Sequence, residues 1–233
     1  KGPVMSSQKI QAKAVIFDTD GTLVDTRPRF FVVFNELIAQ EGGKTISWDE
    51  FLKRYIDDTL DDVILERLGP ETDLHKFWLK FLERYREEDA GSKPINGSLE
   101  TLKKLKEKGI PIAVITSCIL PAQRLKLELD SLGLGEFVDT IVTGRDAIKD
   151  LNEKHHFSKE EIFRIAIEKL GVKPQECVIV GDYWNDIRDG KKVGAKTVAV
   201  LTGLMRRELL EKYGPDAVIK SIADLLEVVE FSK

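Results

Sequence analysis

The sequence predicts an α/β protein: a doubly wound parallel sheet with an all-α segment inserted after its first strand. Three observations point there. The stretches Ala14–Phe17, Ile110–Ile115 and Cys177–Val180 are unbroken apolar or nearly apolar runs, the mark of strands buried on both faces. From Thr26 to Lys93 the pattern is helical, with no strand signal interrupting it. Polar groups follow each apolar run, led by Asp18, Thr116 and Asp182, at the place where an open α/β sheet presents its ligands.

Taken in order, the first run closes on Asp18-Thr19-Asp20-Gly21-Thr22, so two carboxylates share the carboxyl end of one strand. The helical stretch opens at Pro28, suited to a first turn, and carries a stripe of Phe30, Phe31, Phe34, Leu37 and Ile38 that Gly42-Gly43 stops. Ser47 with Glu50, and Thr59 with Asp62, have the spacing of capping boxes for two further helices, the second ending at Gly69-Pro70. A fourth, from about Leu74 to Arg86, holds Phe77, Trp78, Phe81, Leu82 and Tyr85. Aromatic residues at helical spacing could form a stacking pocket, but they read here as packing within the segment.

The sheet resumes near Pro94. Ser98 caps a helix that Gly109 ends, and the strand Ile110–Ile115 delivers Thr116-Ser117. Pro121 opens a helix to about Ser131, Val138–Val142 is a short strand, and Ser158 with Glu161 caps a helix reaching Leu170. The strand Cys177–Val180 leads into Gly181-Asp182-Tyr183-Trp184-Asn185-Asp186, where glycine allows close backbone approach and two acids supply oxygen ligands of the kind magnesium selects. Strands at Thr197–Leu201 and Ala217–Ile219 and a helix from Ser221 complete the sheet. The expected organisation is an α/β core of residues 5–25 and 94–233 around a helical unit of residues 26–93. Residues Lys1–Val4, ahead of Met5, read as a cloning remnant.

At 233 residues the chain is long enough for one full core plus an elaboration. The formal net charge of −4, with both signs abundant, argues against nucleic acid or a membrane surface as the main partner. There is no long apolar span or secretory leader, and Cys118 and Cys177 sit in or beside predicted strands, where buried thiols are expected. A cytoplasmic monomer or homodimer is the expectation.

The element Asp18 to Thr22 with Leu23-Val24-Asp25, the apolar strand ending at Thr116 and the Gly181-Asp182…Asp186 element together resemble the haloacid dehalogenase superfamily, over nearly the whole chain. The helical insert resembles that superfamily's first-type helical cap. Gly203 through Asp216 is similar to the segment after the fifth strand of phosphoglycolate-phosphatase-like members. The resemblance implies a Mg²⁺-dependent phosphomonoesterase acting on a small-molecule phosphate ester. It implies that Asp18 is the nucleophile, forming an aspartyl-phosphate, and that Asp20 is the general acid and base. The metal would be held by Asp18, the backbone carbonyl of Asp20 and Asp182, with Asp186 supporting it through its water shell. Thr116, the backbone of Ser117 and a lysine would hold the phosphoryl oxygens.

That lysine is where the sequence departs from the family pattern. Between Gly144 and Ser158 no Lys-Pro-x-Pro element occurs. Lys154 is taken for the role because Lys154-His155-His156 falls where the element should be; Lys149 and Lys159 stay open. A cation opposing the dipole in a helix's first turn counts against Lys159.

Rival readings are a sugar phosphomutase using the same aspartates, a phosphonate hydrolase with a Schiff-base lysine, and a non-catalytic regulator on the same fold. The intact set Asp18, Asp20, Asp182 and Asp186 speaks against the last, and dehalogenases of the superfamily lack the second acid. His75, His155 and His156 lack the spacing and cysteine partners of a zinc site and are expected at the surface. Substrate-selecting side chains are sought in Arg27, Arg29, Arg54 and Tyr55.

Overall fold

The computed structural model describes residues 8–89 and 91–233, so the segment Lys1–Val4 lies outside the described residues. Its strands are β1 (Ile10–Ala12), β2 (Ala14–Asp18), β3 (Val24–Asp25), β4 (Lys93–Pro94), β5 (Ile112–Thr116), β6 (Thr140–Thr143), β7 (Cys177–Gly181), β8 (Lys196–Val200), β9 (Ala217–Ile219) and β10 (Val229–Phe231). Six of them form one sheet in the order β6-β5-β2-β7-β8-β9, every pairing parallel. The strand order steps outward in both directions from β2, which makes the carboxyl end of β2 the switch point of the sheet.

Successive residues of the central strands feed opposite layers, as the pleat requires. Val15, Phe17, Ile112, Val114, Val178 and Val180 enter one hydrophobic layer, while Ile16, Ala113, Ile115, Cys177 and Ile179 enter the other. Helices cover both sides, so all five residues of β2, β5 and β7 are buried. This is the physical reason the runs are uniformly apolar instead of alternating.

The helices are α1 (Arg27–Gln40), α2 (Trp48–Ile56), α3 (Leu60–Leu68), α4 (Leu74–Arg84), α5 (Ser98–Glu107), α6 (Ala122–Ser131), α7 (Ile148–Glu153), α8 (Glu160–Leu170), α9 (Trp184–Lys192), α10 (Arg207–Glu211) and α11 (Leu225–Val228). Helices α1 to α4 follow one another without an intervening strand and share their own apolar cluster, built on Phe34, Ile38, Phe51, Val63, Ile64, Phe77 and Trp78. Ser47 caps α2 as its spacing predicts, its hydroxyl accepting from the Glu50 N–H at 3.2 Å. Thr59 makes no such bond at α3.

The chain leaves the sheet through β3 and returns through β4, and these two short strands pair antiparallel, Val24 opposite Pro94 and Asp25 opposite Lys93. The two connections to the helical segment are thus one ribbon.

Other features also differ from the sequence reading: Ser98 does not cap α5, whose N-cap is Gly97, and its hydroxyl donates to the Leu23 carbonyl at 2.9 Å. The C-terminal residues form β10, which pairs with β1 outside the main sheet, because Val229 and Phe231 join the apolar layer beside Ala12. Helix α7 occupies a stretch read as loop, its turn closed by Leu151 pointing into the interior. Ser158 does not cap α8: its hydroxyl donates to Asp150 on α7, and Lys159 becomes the N-cap residue instead.

Candidate active site

The site forms where β2, β5 and β7 end. Asp18 is the last residue of β2, Asp182 directly follows β7, and Asp186 lies in the first turn of α9. All three are buried, and each places a carboxylate oxygen within 4.8 Å of the others. The backbone accommodates this crowding only through glycine. A Cβ at Gly21 or Gly203 would collide with the Asp182 carboxylate, and one at Gly181 with that of Asp186.

Such a cluster is electrostatically unfavourable by itself. Burial first, then repulsion from Asp186, pushes the Asp18 carboxyl well above the usual range, although Lys159 works against this. Burial and Asp186 likewise push Asp182 up, to about 7. Three buried carboxylates facing one ammonium leave net negative charge, and their all-oxygen donor set is that of a hard divalent cation. The residues therefore fit magnesium.

The lysine in the site is Lys159, not Lys154. Its ammonium lies 2.7 Å from Asp186 and 3.4 Å from Asp18, with only 6% of the side chain exposed. Burial alone would lower its pKa, but Asp18 and Asp186 outweigh that and hold it well above the ordinary lysine value. Lys154 is half exposed and is held at the surface by Asp150, at 2.8 Å, and by Glu160. The cause is α7: its helical turn sets Asp150 four residues before Lys154 and captures the ammonium. Lys149 is more exposed still. The helix dipole does not keep Lys159 out, because Asp186 and Asp18 hold its ammonium at 2.7 and 3.4 Å and its own backbone N–H is bonded to Asp189 at 2.8 Å.

Thr116 is buried at the end of β5, its hydroxyl accepting from the Cys118 N–H at 3.1 Å while its own proton stays available to donate. The Ser117 hydroxyl beside it is buried without a hydrogen-bond partner. Both line the same cavity as Asp18, Asp182 and Lys159.

Asp20 is turned toward the helical segment. Arg86, in the single 3₁₀ turn after α4, grips it with two donors at 2.8 and 3.0 Å, and the Thr26 hydroxyl donates at 2.9 Å. Burial would raise the Asp20 pKa, but the Arg86 charge and these bonds prevail and hold it below the usual carboxylate range. Arg86 also meets Glu128 of α6 at 3.0 Å, and Glu128 binds Arg29 of α1 at 2.6 Å. Two buried arginines of the helical segment are thus paired with two acids across to the sheet side. Nothing in the local sequence singles out Arg86 for this pairing. Arg29 stands there only as a substrate-selecting candidate, a role that its pairing with Glu128 does not suit.

Tyr55 and Arg27 line the cavity, whereas Arg54 is engaged with Glu66 and Glu50 away from it. His156 corrects another expectation. It is buried, stacked near Trp78, and its Nδ1 lies 3.2 Å from that of His75; burial, then the neighbouring His155 and His75, lower its pKa to about 3. Cys118 and Cys177 are free, buried thiols, as expected.

An all-parallel sheet with its acids and one buried ammonium gathered at the carboxyl edge defines an α/β enzyme. Residues 15–200 match the haloacid dehalogenase-like hydrolase family model, and the chain belongs to that family. It is an enzyme of the phosphatase type. The chain is 31% identical to pyrophosphatase PpaX of Bacillus pumilus over 217 residues, covering 92% of this chain and 95% of that protein. Among solved structures it resembles a predicted phosphatase from Clostridium acetobutylicum, with a TM-score of 0.72 and 19% identity over 93% of this chain and 97% of that one. A predicted phosphoglycolate phosphatase from Haemophilus somnus gives a TM-score of 0.65 at 22% identity, over 94% and 98%. Among the described residues no helix is long and apolar enough to cross a membrane.

Proposed function

We propose that the protein is a Mg²⁺-dependent phosphomonoesterase of small molecules, working through an aspartyl-phosphate on Asp18. The observation that carries this is the convergence of Asp18, Asp182 and Asp186 with the Lys159 ammonium at one cavity. Asp18, Asp182 and the Asp20 backbone carbonyl would hold the magnesium ion, with Asp186 behind them; its charge would offset the repulsion between a phosphate dianion and the carboxylates.

Asp18 attacks phosphorus and the ester oxygen leaves, which divides one difficult displacement into two easier ones. Lys159 and the donors of Thr116 and Ser117 hold the phosphoryl oxygens as their charge redistributes. Asp20 protonates the departing alkoxide and then takes a proton from the water that cleaves the acyl phosphate. In the observed arrangement Asp20 is clamped by Arg86 as a carboxylate, so the acid step requires Arg86 to withdraw. Since Arg86 belongs to the helical segment and that segment hangs on the β3–β4 ribbon, we read residues 26–93 as a cap domain whose hinge movement releases Asp20.

Assay of a panel of phosphate esters with Mg²⁺ and with EDTA tests the proposal; turnover that persists without divalent metal overturns it. Asp20→Asn is expected to lower kcat by roughly 10²–10⁴, the usual size of general acid-base help, while Mg²⁺ binding measured by calorimetry is kept. Loss of metal binding together with activity would place Asp20 differently.

The raised acids also predict a pH-dependent response to metal. A carboxyl whose pKa is raised by folding stabilises the fold below the ordinary carboxylate range, and that contribution is lost as pH rises toward its folded value, about 7 for Asp182. Mg²⁺, which binds the ionised forms, should therefore raise Tm little near pH 5 and progressively more by pH 8. A thermal shift that is flat across that window contradicts the assignment.

A further inference from the structure

The cavity that begins at Asp18 has a volume of about 300 Å³ and runs beneath the helical segment. Its far walls are aromatic: Phe30, Tyr55, Trp78, Phe81, Phe157 and Trp184 all line it. These rings brace one another edge-on or tilted, Phe30 with Phe81 at 4.6 Å, Phe30 with Tyr55 at 5.2 Å, and Trp78 with Phe157 at 5.1 Å between centroids. The result is a slot with mutually braced apolar walls, which favours a flat ring over a hydrated chain.

The charges of the lining are as informative as its rings. Each lysine or arginine that lines the cavity is already matched to a carboxylate: Lys159 to Asp18 and Asp186, Arg27 to Asp25, and Arg188 to Asp189 while also lying over the Trp184 ring at 4.6 Å. Two carboxylates, Asp58 and Asp61, line it away from the metal cluster. Both are built in. Asp58 sits in the left-handed backbone region, with φ of 56°, and accepts from the Tyr183 hydroxyl at 2.6 Å; Asp61 accepts from the Trp78 indole N–H at 2.7 Å. A negative group on the leaving side of the ester would find no unpaired lysine or arginine among the described lining residues, and it would meet these two acids in a partly desolvated space.

We propose that the alcohol released by this enzyme is an uncharged aromatic one, its ring held in the slot between the helical segment and the sheet. A leaving group that is itself a phosphate, as in pyrophosphate, or that bears a carboxylate, as in phosphoglycolate, does not suit this lining. The inference rests on the phosphomonoesterase reading above and specifies its substrate class.

Four substrates test it on the wild-type protein with Mg²⁺: benzyl phosphate, propyl phosphate, pyrophosphate and 2-phosphoglycolate. Benzyl and propyl alcohols are comparable leaving groups, so the ratio of their kcat/KM values reports binding in the slot. Benzyl phosphate is expected to exceed propyl phosphate by at least about tenfold, within the range apolar pockets achieve, and to exceed both anionic substrates by more. Equal values for benzyl and propyl phosphate, or pyrophosphate or phosphoglycolate in the lead, overturn the inference while leaving a phosphatase; hydrolysis of none of the four overturns the phosphomonoesterase reading as well. Phe157→Ala should reduce the benzyl-to-propyl ratio. Asp58→Asn and Asp61→Asn, which keep the size of the side chain, should raise the phosphoglycolate-to-benzyl ratio about tenfold, and an unchanged ratio in both overturns the charge argument.

Discussion

Asp18→Asn is expected to abolish turnover and to leave no phosphoenzyme in denatured samples taken from the steady state. The amide keeps the volume of the side chain, so the buried site at the end of β2 still packs. It removes both the oxygen proposed as nucleophile and one acid of the carboxylate set. The second effect gives the experiment a control. With one buried charge fewer, repulsion among Asp18, Asp182 and Asp186 falls, and the metal-free variant should be at least as stable to heat as the wild type at pH 8. An inactive variant that is also unfolded would say nothing of chemistry, whereas a folded variant with near-normal rates would refute the nucleophile assignment.

Lys159→Met carries the second large effect. Removal of one charged donor aimed at developing transition-state charge costs about 10²–10³ in kcat in comparable sites. Here the ammonium also compensates Asp18 and Asp186, and breaking a buried ion pair by deleting one partner costs on the order of 3–5 kcal/mol. Both losses are expected, and Mg²⁺ should restore part of the stability but not the rate. Lys154→Ala serves as the comparison. Its ammonium is half exposed and bound to Asp150 and Glu160, so activity should stay within about twofold of wild type, since exposed pairs contribute little. A larger loss at Lys154 than at Lys159 would reverse the assignment.

The position of Lys159 shows how a motif can be legible as chemistry and illegible as spelling. A cation opposite the acids was called for by charge balance alone. The sequence offers Lys149, Lys154 and Lys159 within a stretch that lacks proline, and position along the chain points to Lys154, whose ammonium the structure places at the surface. What decides between them is α7. Its formation draws Lys154 to Asp150 and Ser158 to Asp150, and this leaves Lys159 at the start of α8, facing the strand ends. A marginal helix of six residues is stabilised by what it packs against, so its presence was not readable from local propensity.

The same division holds for Asp20 and the aromatic residues. Asp20 could be recognised as an acid beside Asp18, but its clamp by Arg86 joins residues separated by 66 positions, and a pairing of that range is set only when the helical segment folds back on the sheet. The aromatic stripes read as packing, and for Phe34 and Phe77 this holds. Phe30, Trp78 and Phe81 also form a cavity wall beside Tyr55, a distinction that depends on which face of each helix meets the sheet side.

The sequence by itself determined the parallel sheet, the run of helices α1 to α4 and the acids at the strand ends. Those follow from local pattern: short, uniformly apolar runs bounded by turn residues fit strands covered on both faces, and a carboxylate next to such a run is carried to the sheet edge by the strand itself. Tertiary structure alone decided which lysine enters, which arginine holds Asp20 and what surface faces the leaving group. Each of these is a choice among several side chains of the same chemistry, and long-range packing and charge compensation make that choice, leaving no trace in the spacing of residues along the chain.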